Sequence, residues 1–151
     1  MVNEDKVLRL LNNIDSYVTD LRNAGDISHE RFLADIRSQR FVERTLQIAV
    51  EACMDVAHHV ISDEKWREPA TYADAFAVLA EHGVLGQEDV SRYRLMAQFR
   101  NKVVHYYEKV DPEQVFAIFK GRLADFTDFA ATIRRWLKET GETAETGAET
   151  G

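Results

Sequence analysis

Apolar residues recur along this chain at spacings of three and four, the period of a single helical face. Val7, Leu10, Leu11, Ile14, Tyr17, Val18 and Leu21 form one such stripe and predict a first helix from about Glu4 to Asn23. Ala24-Gly25-Asp26 interrupts it, and Ser28 carries the side chain of a helix N-cap. The spacing then predicts a long second helix over roughly 28–61. Its buried side would hold Phe32, Ile36, Val42, Leu46, Ala49, Val50, Cys53, Val56, Ala57 and Val60. Residues 62–69 break the pattern. Thr71 is placed to cap a short third helix over 72–81, closed by His82-Gly83. A fourth starts near 87–89 and carries Val90, Tyr93, Leu95, Met96, Phe99, Val103 and Val104. Asp111-Pro112-Glu113 combines an acidic cap, a proline at the first helical position and an acid in the first turn. It opens a fifth helix reaching Trp136 or Leu137, with Val115, Phe116, Phe119, Leu123, Phe126, Phe129, Ile133 and Trp136 inward.

The expected fold is all-α: an up-and-down bundle of about five helices over residues 1–137. Composition agrees, since 45% of the 151 residues are hydrophobic and only two prolines and seven glycines interrupt them. The acidic segment 138–151, a repeat of Glu, Thr, Gly and Ala without an apolar face, is expected to be disordered. No apolar run nears the roughly 18–20 residues of a membrane span. The N-terminus lacks the apolar core of a signal peptide, and Cys53 is the single cysteine. These features predict a cytoplasmic protein with no membrane partner.

A net charge of −7 argues at first against a nucleic-acid partner. Its distribution changes that picture. One lysine against four glutamates gives 138–151 a charge of −3, leaving −4 for the rest. Within 92–109, Arg92, Arg94, Arg100, Lys102 and Lys109 face only Glu108, a local +4. A basic island on an acidic body binds a polyanion locally without holding every RNA.

The island contains Arg100-Asn101-Lys102-Val103-Val104-His105-Tyr106-Tyr107, the stretch where polar chemistry crowds the core. Its residue types suit phosphodiester cleavage. Histidine, with an ordinary pKa of about 6.5, removes a 2′-hydroxyl proton near neutral pH. Arginine holds a phosphate and stabilises the charge of a pentacoordinate transition state. Asparagine orients the imidazole or a substrate oxygen. With the RNA's own 2′-oxygen as nucleophile, the reaction needs no metal or cofactor. Lys102 is a further candidate RNA contact. Arg100 and His105 diverge by about 140° on an ideal helix, so either the helix ends near Val104 or a symmetric contact completes the pair.

The stretch RNKVVHYY resembles the Arg-x4-His-x-Tyr motif of HepT-type toxins of the HEPN superfamily. Arg100, Asn101, His105 and Tyr107 match it position by position, and the likeness extends over roughly residues 1–137. The resemblance implies a homodimeric helical bundle in which two motifs line one cleft of a metal-independent endoribonuclease. It also implies a type VII-like pair with an MNT-type nucleotidyltransferase antitoxin able to transfer AMP to Tyr107. Phosphate added beside His105 would repel an RNA backbone. No DNA partner is expected.

Other readings accompany these. The chain could instead be a non-catalytic helical subunit that presents nucleotide or substrate to a nucleotidyltransferase. Asp55, His58 and His59 have metal-ligand spacing, but adjacent histidines on a helix point apart. Arg37, Arg40 and Arg44 are either a solvated face or a rim for RNA or antitoxin.

Overall fold

Helix breaks decide how this chain folds back on itself, and there are more of them than the apolar pattern predicts. The computed structural model describes residues 2–105 and 110–150, with side chains as far as Gly141. These residues form α1 (Glu4–Asn23), α2 (His29–Ala34), α3 (Ile36–Glu64), α4 (Asp74–Glu81), α5 (Val90–His105), α6 (Pro112–Gly121) and α7 (Leu123–Thr150). A 3-10 turn at Gln87–Asp89 leads into α5. Among the described residues there is no strand, as the all-α reading expects, and no helix is long and apolar enough to cross a membrane.

The expected second helix is two helices, because Asp35 ends α2 and caps α3. Its backbone is extended, at φ −118° and ψ 105°. Its carboxylate accepts from the Arg37 N–H at 3.0 Å and the Ser38 hydroxyl at 2.8 Å. Gln39 completes the joint: its amide donates to the carbonyls of Phe32 (3.0 Å) and Leu33 (3.1 Å), left over at the end of α2. The kink turns Ile36, expected inside, out to 56% exposure. The expected fifth helix also breaks, at Arg122, where φ −124° and ψ 6° separate α6 from α7. The limit expected after Leu137 is not marked by a helix end, since the backbone of α7 continues to Thr150. Once a packed turn exists, each further residue adds one hydrogen bond, and no proline stops it.

Other signals hold as read. Ser28 caps a helix, α2, and Asn3, not singled out from sequence, caps α1. Asp111 accepts from the Glu113 N–H at 3.0 Å ahead of Pro112. Gly83 takes φ 75° after α4, a conformation that favours glycine.

α3 is the central post, with α1, α4, α5, α6 and α7 packed on it. Phe76, Tyr93 and Phe129 from α4, α5 and α7 meet edge-on or tilted, with centroids 5.4–5.9 Å apart, and lock those helices together. Cys53 is buried on α3, where loss of water pushes its thiol pKa up, as suits an inert core residue. This packing holds α5 against α3 and so places the candidate chemistry.

Candidate active site

Arg100 sits on α5 where that helix crosses α3, and its guanidinium is held on three sides. Its Nε–H donates to Glu51 Oε1 of α3 at 3.2 Å. Its Nη1 donates to Asn101 Oδ1 at 3.2 Å. Its central carbon lies 5.6 Å from the centre of the Tyr72 ring. Glu51 is itself steadied by the Gln47 amide, which donates to the same oxygen at 3.0 Å. The Arg100 side chain is 18% exposed and that of Glu51 32%, so the pair is partly shielded yet reachable.

Tyr72 reaches this position from the turn before α4, which Arg67 pins down. Arg67 pairs with Asp74 (2.7 Å) and Glu81 (2.8 Å), while the Ala70 N–H donates to Asp74 at 2.9 Å. Arg67 and that N–H pull the Asp74 carboxyl pKa down to about 2. Thr71 accepts from the Asp74 N–H at 3.0 Å, but the N-cap position expected of it is taken by Ala73. The helix starts at Asp74 rather than Tyr72, leaving the tyrosine free of the helix and 53% exposed. Its ring also meets His58 of α3 edge-on, with centroids 5.5 Å apart.

Lys102 points the other way and donates to Gln114 of α6 at 3.2 Å. Asn101 and Lys102 line one wall of a cavity of about 520 Å³ between α5, α6 and α7, whose floor includes Phe99 and Phe126. His105 is the last residue of α5 and is exposed. The helix thus continues past Val104. Within one chain Arg100 and His105 keep their divergence of about 140° and stand roughly 7.5 Å apart along the axis. Of the four motif residues, Arg100 and Asn101 are brought together, His105 stands apart, and Tyr107 lies outside the described residues.

The basic island is smaller in space than in sequence. Arg92 is ringed by Asp89 (3.1 Å), Asp125 (3.2 Å) and Asp128 (2.9 Å), two of them on α7, so it ties α5 to α7. Arg40 pairs with Glu43 at 3.0 Å, which favours the solvated-face reading for that arginine. Among the described residues, no three of His, Cys, Asp and Glu are grouped to hold a metal ion.

Glu51 and Tyr72 were not singled out from sequence. Glu51 had a signal: a lone charge inside the apolar run 48–54. Tyr72 had none, because its contact with Arg100 joins segments 28 positions apart through the Arg67 pin.

A model of the ribonuclease HepT-like family matches residues 14–133. The chain is 28% identical over 124 residues to the tRNA nuclease HepT of Aphanizomenon flos-aquae, covering 82% of this chain and 84% of that one. It is 29% identical over 104 residues to the mRNA nuclease HepT of Shewanella oneidensis, covering 69% and 78%. A solved structure of the tri-AMPylated Shewanella oneidensis HEPN toxin in complex with MNT antitoxin superposes with a TM-score of 0.79 at 26% identity, over 85% of this chain and 96% of that one. With a family model spanning most of its length and the same helical frame, the chain belongs to the ribonuclease HepT-like family of HEPN proteins.

Proposed function

We propose that this protein is an RNA-cleaving toxin acting in the cytoplasm as a homodimer, with Arg100, Asn101 and His105 at its catalytic centre. The observation that carries the reading is the half-buried, three-sided hold on Arg100, five residues before the exposed His105 on the same helix. A guanidinium so fixed is pre-organised for a phosphate, because its ordering cost is met by the fold rather than by the substrate. His105 takes the 2′-hydroxyl proton, and the 2′-oxygen attacks the adjacent phosphorus. The 5′-oxygen leaves with a proton from the second histidine of the dimer, giving a 2′,3′-cyclic phosphate and a 5′-hydroxyl. Arg100 stabilises the added negative charge on the phosphorus-bound oxygens. Lys102 and the neighbouring cavity give the flanking nucleotide a place to seat.

The divergence of the two groups supports the dimer in this reading. One chain cannot bring Arg100 and His105 onto one phosphate from a regular helix, whereas a twofold contact between α5 ends can. The test is cleavage of RNA in EDTA by purified protein, followed by subunit exchange with His105→Ala protein. If each cleft needs both histidines, a 1:1 mixture retains about a quarter of the activity, the share of undisturbed dimers. Retention of about half means each chain works alone and removes the shared cleft.

Its partner in this reading is an MNT-type nucleotidyltransferase antitoxin, which silences the toxin by transferring AMP from ATP to Tyr107. The tyrosine oxygen attacks the α-phosphorus and pyrophosphate leaves. Intact-mass analysis after incubation with antitoxin and ATP should show AMP additions that Tyr107→Phe lacks. Equal additions on both proteins would place the modification elsewhere.

A further inference from the structure

Glu51 is an odd residue to find beside an RNA phosphate. Its carboxylate meets Arg100, and any incoming backbone must approach that same charge. Yet its environment is built: Gln47, one turn earlier on α3, donates to the oxygen that accepts from Arg100, so Glu51 is aimed rather than loose. We propose that Glu51 is a positioning residue that fixes the edge Arg100 presents to RNA and weakens binding of the uncleaved strand. The proposal rests on the nuclease reading above.

Donor arithmetic supports it. A guanidinium has five N–H donors. Glu51 takes the Nε–H and Asn101 takes one on Nη1. Both hydrogens on Nη2 and one on Nη1 have no protein acceptor among the described residues, and Tyr72 covers one face of the group. With the Nε–H taken by Glu51, Nη2 and the remaining Nη1 hydrogen are the donors left for phosphate oxygens. Without Glu51 the side chain is free to offer its Nε–Nη2 edge instead, and the phosphate would be held at a different angle to the attacking oxygen.

The charge works in the opposite sense. Paired with Glu51, Arg100 adds little net positive charge to the approach path. It attracts a ground-state phosphate monoanion weakly and gains most when the transition state adds a second negative charge. The rest of the chain is acidic as well, so the enzyme holds RNA loosely until it reacts.

Two substitutions separate these effects. Glu51→Gln keeps an oxygen to accept from the Arg100 Nε–H and removes the charge. The expected result is a KM lowered about threefold to tenfold, a kcat within a few-fold, and a log–log salt dependence of KM steeper by about 0.7, the single-strand increment per added cation. Glu51→Ala removes the tether, and kcat is expected to fall about tenfold to a hundredfold. Directly, the Arg100 Nε–H resonance in ¹⁵N NMR should be slow to exchange in the wild type and in Glu51→Gln, and lost into fast exchange in Glu51→Ala. If both variants only lower the melting temperature, with kcat, KM and salt slope of the folded enzyme unchanged, Glu51 is merely structural and the proposal is overturned. An unaltered Arg100 signal in Glu51→Ala overturns it too. Failure of the wild type to cut any RNA would sink the nuclease reading instead, and the NMR comparison would still decide whether Glu51 holds Arg100.

Discussion

His105→Ala is expected to slow RNA cleavage about 10²- to 10⁴-fold while leaving the protein folded. The range is that of losing one general acid–base group, and the loss falls near its upper end if the cleft draws on two histidines. Stability should barely change. His105 is exposed at the last position of α5, so its removal opens no cavity. Single-turnover cleavage of a labelled single-stranded or transfer RNA, beside a thermal melt, measures both quantities. Cleavage at the wild-type rate by a fully folded variant would falsify the assignment of His105. A collapsed melting curve would show the residue to be structural, against its exposure.

How much of this was legible in the sequence depends on the range of the interaction. Helix starts were visible because caps are local: Ser28 and Asp111 sit within three residues of the N–H groups they accept from. The core stripes were visible because burial repeats with the helical period, and Val7, Leu11, Ile14, Val18 and Leu21 all prove buried. The two extra breaks were not. The apolar period runs through both Asp35 and Arg122 without a proline to mark them. At Asp35 the kink is stabilised by Gln39, four residues on, folding back over the end of α2. A polar residue that looks like any surface glutamine turns out to be buried. Ile36 was misplaced for the same reason, since a kink resets the angular register of everything near it.

The site shows the same division. The motif is a run of neighbours, so Arg100, Asn101, Lys102 and His105 could be named from their order alone. What holds Arg100 comes from α3 and from the turn before α4, 49 and 28 positions away, and no local pattern connects them. The charge reading erred similarly. Counting along the chain made Arg92 part of a basic island, whereas Asp125 and Asp128, on a helix that returns from far downstream, surround it. Local order names the candidate groups; the tertiary frame gives their orientation and net field.

That distinction is tested most sharply at Arg100. Arg100→Ala should reduce kcat about 10²- to 10³-fold, the usual cost of losing a pre-organised group that meets developing charge. It should also cost stability, about 1–2 kcal/mol, because Glu51 is left partly shielded without its counter-ion. Arg100→Lys separates charge from shape. An ammonium keeps the positive charge but is a single donor centre on a flexible stem. It cannot meet Glu51 from one edge, meet Asn101 from another and still offer two parallel N–H groups to a phosphate. The expected result is therefore a melting temperature near that of the wild type with a kcat almost as low as that of the alanine variant. Should lysine instead restore cleavage to within a few-fold, a point charge near the cleft is enough. The three-sided hold by Glu51, Asn101 and Tyr72 would then serve packing rather than catalysis.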